Sequence, residues 1–169
     1  YLFNNPVDKL PQNLTHLTCG YWFNKPVNNL PQNLIQLTFE HKFNQYIDLK
    51  YLNSLTHLTF SDDFNQFIDL RYLNSLTHLT LGYNFNQPVN NLPQSLTHLT
   101  FGLHFNQSAD NLPQSLTYLE FGRNFNQFID LRYLNNLTHL EFGYHFNQSV
   151  NNLPQSLTHL RFGNSFNQP

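Results

Sequence analysis

Apolar and polar positions along this chain change rhythm every few residues and then begin again. Across residues 96–102, Leu99 and Phe101 alternate with His98, Thr100 and Gly102. A period of two over a short stretch rich in Thr and Phe predicts a half-buried β-strand. Gly then punctuates the pattern, a Phe-Asn pair follows, and prolines such as Pro88 and Pro93 interrupt the remainder. Prolines this frequent exclude a regular helix, because each lacks an N–H and clashes inside a helical turn. A second version of the remainder carries Ile68, Leu70 and Leu73 instead. That spacing predicts an occasional 3₁₀ or helical turn.

The whole motif repeats. Phe-Asn recurs at Phe3, Phe23, Phe43, Phe64, Phe85, Phe105, Phe125, Phe146 and Phe166, at spacings of 20 or 21 residues. The units run 3–22, 23–42, 43–63, 64–84, 85–104, 105–124, 125–145 and 146–165, with a partial ninth at 166–169, and are expected to form one domain. The extra residue of the longer units falls at one place, between the Val or Ile and the next Leu-Thr-x-Leu, which marks a loop on one face of a stacked coil. One unit cannot fold alone. Its inward set (Leu96, Leu99, Phe101, Phe105, Ala109 and Leu112, for instance) buries too little surface to offset the entropy of ordering the coil. Stacking is therefore obligatory. The predicted fold is a β-rich repeat solenoid with one short parallel β-strand per coil, coils about 4.8 Å apart, and a mostly irregular outer side.

In such a stack, equivalent residues form ladders along the axis. Phe23, Phe43, Phe64, Phe85, Phe105, Phe125 and Phe146 are expected to line up as an aromatic spine, and Asn24, Asn44, Asn65, Asn86, Asn106, Asn126 and Asn147 as an amide ladder. A turning backbone leaves N–H and C=O groups without strand partners, and an amide side chain can both donate to and accept from them. Leu10, Leu30, Leu92, Leu112 and Leu153, each before a Pro, are expected to close the outer side.

The unit reading LPQSLTHLTFGYxFNQPV resembles the FNIP repeat, which is similar to short leucine-rich repeats; Leu96, Leu99 and Phe101 supply the shared strand core. The signature is varied here. Asn-x-Pro-Val stands at Pro6-Val7, Pro26-Val27 and Pro88-Val89, aromatic Tyr46, Phe67 and Phe128 replace the Pro in three units, and Ser108 and Ser149 replace it in two more. Proteins of this family occur in social amoebae and in giant viruses of amoebae, where the repeats often follow an F-box that docks on a ubiquitin-ligase scaffold. The resemblance implies a leucine-rich-repeat-like, non-enzymatic array that recognises a protein substrate, acting in the cytoplasm, of the host if the source is viral. No F-box lies within these residues. A chain that lacks a starting Met is expected to be a piece of a longer one.

Composition narrows the partner classes. Lys and Arg number 8 against 10 Asp and Glu, giving a net charge of −2. That is a poor footprint for nucleic acid or an anionic membrane surface. No apolar run approaches the ~18 residues of a membrane span. With one Cys there is no disulfide framework and no Cys-based zinc site, and Cys19, in a slot otherwise held by Phe or Leu, is expected to be an inert buried thiol. The 26 Asn, 17 Phe and 9 Tyr fit the ladders. Four N-x-S/T matches, at Asn13, Asn106, Asn136 and Asn147, read as products of the repeat.

Function is expected on the strand positions that face outward, the concave sheet of a solenoid. The first column reads His16, Gln36, His57, His78, His98, Tyr118, His139, His159; the second reads Thr18, Thr38, Thr59, Thr80, Thr100, Glu120, Glu141, Arg161. Past the Gly column, where Glu40 and Ser61 are exceptions, lies the most variable one: Tyr21, His41, Asp62, Tyr83, Leu103, Arg123, Tyr144, Asn164. A protein partner is expected on this face, centred on Tyr118, Glu120, Arg123, Glu141, Tyr144 and Arg161, because aromatics with Arg are typical interface anchors. Asp62, Asp63 and Lys42 form a second charged spot. Imidazoles in one column at strand spacing do not converge as a tetrahedral metal requires, so no metal or cofactor is expected. Nor is catalysis: no phosphate loop, nucleophile elbow or HExxH is present. Two alternatives remain: a structural element that self-associates end to end through uncapped coils, and, more weakly, an ice-binding Thr surface.

Overall fold

A computed structural model describes residues 2–169. Eight short strands, β1 (His16–Cys19), β2 (Gln36–Phe39), β3 (His57–Thr59), β4 (His78–Thr80), β5 (His98–Thr100), β6 (Tyr118–Glu120), β7 (His139–Glu141) and β8 (His159–Arg161), follow one another in a single sheet. Strand order is sequence order, and every pair is parallel and in register, so that Leu58 lies beside Leu79 and Leu79 beside Leu99. The chain is thus a coil wound repeatedly over itself, with the sheet as one wall.

Two turns per coil return the chain to that wall. One closes after the strand, where the Phe23, Phe85, Phe105, Phe125 and Phe146 amides donate to the carbonyl three residues back, on Gly20, Gly82, Gly102, Gly122 and Gly143. The other precedes the strand, as where Leu96 N–H donates to Pro93 O. In the longer units two such turns stand end to end: Leu52 bonds Leu49 and Leu55 bonds Leu52, and the same happens at 70–76 and 131–137. The expected helical or 3₁₀ turn is corrected here. Each is an isolated turn, and among the described residues no helix of any kind forms. Successive i→i+3 bonds, which a 3₁₀ helix needs, do not develop because the shared corner Leu52 points inward (3% exposed) and the backbone reverses around it.

The interior is one continuous apolar column. Phe23, Phe43, Phe64, Phe85, Phe105, Phe125 and Phe146 are all buried. Their rings lie nearly parallel, with Phe43–Phe64 centroids 6.0 Å apart at 5° and Phe64–Phe85 6.2 Å apart at 1°. A second file, including Phe39, Phe101, Phe121 and Phe142, packs against the first inside each coil, at 3.9 Å for Phe39–Phe43 and 3.8 Å for Phe142–Phe146. Offset parallel rings add to the area term. The inward set of unit 85–104 and its neighbour is buried as expected, Leu92 and Leu112 included, while Leu30 and Leu153 pack partly buried against the core.

The amide ladder forms beside this spine, half-buried. Each Asn accepts on Oδ1 from the backbone N–H of the Asn in the next coil: Asn44 N–H to Asn24 at 2.9 Å, Asn65 to Asn44 at 3.0 Å, Asn86 to Asn65 at 2.9 Å, Asn106 to Asn86, Asn126 to Asn106, and Asn147 to Asn126. The following Gln strengthens it, since Gln66 Nε2 donates to Asn44 Oδ1 and Gln87 Nε2 to Asn65 Oδ1. The Gln column was not singled out above; the recurring Asn-Gln dipeptide was its signal.

Candidate functional site

The exposed face of the sheet carries two columns of side chains, because strand residues alternate between faces. Leu58, Leu79, Leu99, Leu119 and Leu140 point in and are buried. His57, His78, His98, Tyr118, His139 and His159 point out, with Thr59, Thr80, Thr100, Glu120, Glu141 and Arg161 two residues further along. Parallel register then stacks like on like. His57 and His78 rings lie 4.3 Å apart at 12°, His78 and His98 4.2 Å apart at 13°, and His139 and His159 4.1 Å apart at 8°. Tyr118 interrupts the row at 5.8 Å from His98 and 6.2 Å from His139.

A third ladder, unremarked in the sequence, holds these rings. The Thr before each His donates from Oγ1 to a carbonyl of the preceding coil: Thr56 to Ile35 at 3.1 Å, Thr77 to Thr56 at 3.2 Å, Thr97 to Thr77 at 3.1 Å. The same Oγ1 lies 2.8–2.9 Å from Nδ1 of the next residue, His57, His78 or His98. The hydroxyl thus ties each ring, through Nδ1, to the backbone of the coil before it. Thr138 with His139 and Thr158 with His159 repeat the arrangement. A Thr precedes this column in every unit but 23–42, where Ile35 replaces it.

The glycine column separates the strand columns from the variable one, and its cause is close approach. No glycine has positive φ. A Cβ on Gly102 would lie 1.8 Å from Gly82 O, and one on Gly122 or Gly143 would lie 2.0 Å from the carbonyl oxygen of the glycine below. From Gly82 onward each Gly Cα thus rests on the carbonyl of the previous coil, an arrangement of the Cα–H···O type. A trench without side chains results. In the last coils Glu120, Arg123, Glu141, Tyr144 and Arg161 flank it, and Gly122, Gly143 and Gly163 lie along it, enclosing a shallow groove of about 570 Å³.

The structure therefore brings together most of the expected contact patch. Tyr118 donates from its hydroxyl to Glu120 at 2.9 Å, and burial together with that bond pushes the phenol up to about 12. Arg161 pairs with Glu141 at 3.2 Å. Arg123 lies over the Tyr144 ring at 4.9 Å. The second charged spot also forms: Lys42 pairs with Asp63 at 2.9 Å, which holds the ammonium above its usual range, and His41 approaches Asp62 at 3.4 Å. Cys19 is buried in the core, and burial raises its thiol to about 12. Among the described residues no three His, Cys, Asp or Glu side chains stand as a metal site would require, and no helix is long and apolar enough to cross a membrane.

A parallel β-coil with 20–21-residue turns, an inward Leu-x-x-Leu-x-Phe strand and an amide ladder defines a leucine-rich-repeat-like solenoid. The chain belongs to the FNIP repeat family, whose profile matches residues 3–42, 74–104, 105–132 and 135–165. Units outside those segments, such as 43–63, keep the same stack. Among solved structures the chain is similar to CroV588 of a giant virus, described as a novel circular leucine-rich-repeat protein. The identity is 53% and the TM-score 0.90, over 99% of this chain and 26% of that one. It is also similar in fold to the functional domain of InlJ from Listeria monocytogenes, which includes a cysteine ladder, at 19% identity and TM-score 0.67, over 96% of this chain and 38% of that one. The chain thus spans about a quarter of the length of CroV588. No curated protein sequence matches it.

Proposed function

We propose that this solenoid is a non-enzymatic protein-recognition array that binds its partner on the exposed, concave side of the sheet, with the groove of the last coils as the anchor. The observation that carries this reading is the contrast between uniform and varied columns at one place. The Phe, Asn and Gly ladders are nearly invariant because stacking demands it, whereas Glu120, Arg123, Glu141, Tyr144 and Arg161 break their columns and converge on one groove. Aromatic and Arg side chains beside a groove are the usual anchors of an interface. The family resemblance supports a finer role, the substrate-binding part of an F-box-type ubiquitin-ligase adaptor in the cytoplasm, with the F-box supplied by a longer chain.

Affinity capture with the wild-type chain and with the E120A/E141A/Y144A variant tests the reading. A partner retained by the wild type and lost by a variant that still melts cooperatively is the expected result. Equal recovery of every partner by both forms overturns the assignment of the groove. Reading the gene immediately upstream for an F-box tests the adaptor role.

A further inference from the structure

The outer side of the coil holds two pockets of one design. Each lies at a step where a longer unit, 43–63 or 125–145, follows two shorter ones. Gln94, Asp110, Asn111, Leu112, Gln114 and Tyr133 line the later pocket, of about 320 Å³. The same six positions of the earlier coils line the other, of about 440 Å³, with Asn28 and Leu30 in place of Asp110 and Leu112, and Tyr51 in place of Tyr133.

What differs is the tyrosine. Tyr133 lies half-buried against the preceding coil, where its hydroxyl accepts from Leu112 N–H at 2.9 Å and donates to Asp110 O at 3.0 Å. Tyr51 stays out, 63% exposed, with Lys50 Nζ 4.9 Å over its ring and tied to Asp48 at 2.7 Å. Arg132 pairs with Asp130 in the same way, yet among the described residues no cation lies over Tyr133. Leu30 N–H and Asn28 O are consequently left without a protein partner among the described residues.

We propose that the pocket between units 23–42 and 43–63 binds a tyrosine side chain of a partner protein, whose hydroxyl takes the place that the Tyr133 hydroxyl holds in the later pocket. This contact lies on the outer side and does not depend on the groove. The pocket offers one backbone donor and one backbone acceptor two residues apart, and a hydroxyl is the group that answers both at a single atom. Leu30 and Leu52 give an apolar wall for the ring, and Tyr51 an aromatic edge. Asp8 and Asp48 bring carboxylates to the lining, so a neutral phenol is accepted and its phosphate ester repelled. Leu10 and Leu92 hold the position of Leu30 in other units, but a short unit follows each and brings no tyrosine to wall the space.

Titration of the isotope-labelled chain with N-acetyl-L-tyrosinamide, followed by NMR at the Leu30 backbone amide, tests this. We expect a saturable shift of that amide. N-acetyl-L-phenylalaninamide should bind about tenfold more weakly or worse, because its ring desolvates the N–H and the carbonyl without pairing them. The O-phosphorylated tyrosinamide should bind more weakly than the phenol. In the Tyr133→Ala variant the Leu112 amide should also respond to the tyrosinamide. If that variant does not fold, Tyr133→Phe replaces it, and there the Leu112 amide should exchange with solvent about tenfold faster than in the wild type. An unmoved Leu30 amide, equal binding of the tyrosine and phenylalanine amides, or a phosphate that binds as tightly as the phenol overturns the proposal. So does a Leu112 amide indifferent to both Tyr133 changes. Exchange at Leu30 in the free chain as slow as at Leu112 overturns it too, since Tyr51 then already fills the pocket.

Discussion

The first coils and the later ones solve the same stacking problem differently at the position after the strand. From Gly82 onward the residue is glycine, its Cα pressed against the carbonyl below, and a Cβ would lie 1.7–2.2 Å from that oxygen. In the first coils the column is filled differently. Gly20 lies in the first unit, where no earlier described carbonyl lies beneath it, and the nearest atom to an added Cβ is a Glu40 carboxylate oxygen at 3.7 Å. Glu40 uses its N–H to extend the β1–β2 ladder by donating to Cys19 O at 3.0 Å. Ser61 turns its side chain inward, fully buried, and its hydroxyl donates to Phe43 O. The β1–β2 ladder runs four residue pairs and each later one runs three. From Gly82 onward the column carries no side chains, and the groove lies along its last glycines, Gly122, Gly143 and Gly163.

The comparison can be broken most severely through the spine both regions share. Phe125→Ala, at a fully buried ring, is expected to cost about 3–5 kcal/mol, while Phe3→Ala, at a ring 51% exposed, should cost well under half of that; denaturant unfolding of both variants measures the difference. Next comes the glycine column itself. Gly122→Ala should destabilise by about 1–3 kcal/mol or more, whereas Gly20→Ala should stay within ~0.5 kcal/mol. Equal effects in thermal melts would remove the close-approach account. Asn86→Ala leaves the Asn106 backbone N–H without its acceptor, at a cost of about 1–3 kcal/mol.

The imidazole row offers a smaller lever. Burial, and then His98 and His57, holds His78 below the ordinary imidazole range. Its neutral form is the one the fold favours, so the unfolded chain binds the proton more readily. Its contribution is complete above the unfolded imidazole range and erodes as pH falls through it toward the lower folded value. The melting temperature should drop between neutral and mildly acidic pH, and His78→Gln should lessen the drop; a flat profile in the wild type contradicts this. The smallest effect belongs to Arg161, whose side chain is 77% exposed against Glu141. Arg161→Ala should change stability by less than ~0.5 kcal/mol, leaving partner capture as its readout.

Much of this was legible in the linear pattern. The period located every strand, because Leu99 and Phe101 alternate with polar neighbours and can face only one core. It also placed the Phe spine and the Asn ladder, since a repeated residue in a stacked coil must meet its own copies. The exposed columns could be written down, but not their chemistry. Nothing in Leu-Thr-His says that the Thr hydroxyl reaches back to the previous coil, and nothing in the recurrent Gly distinguishes a turn from a carbonyl resting on Cα. The helical turn expected from Ile68, Leu70 and Leu73 failed for the same reason: spacing allowed it, and the inward pull on Leu73 produced two separate turns.

The sequence alone therefore determined that coils must stack and which side chains they share, because periodicity states which residues recur and burial requires them to coincide. Only the tertiary structure decided how closely the coils approach. That closeness of backbone to backbone leaves no room for a Cβ from Gly82 onward and opens the groove along the last glycines.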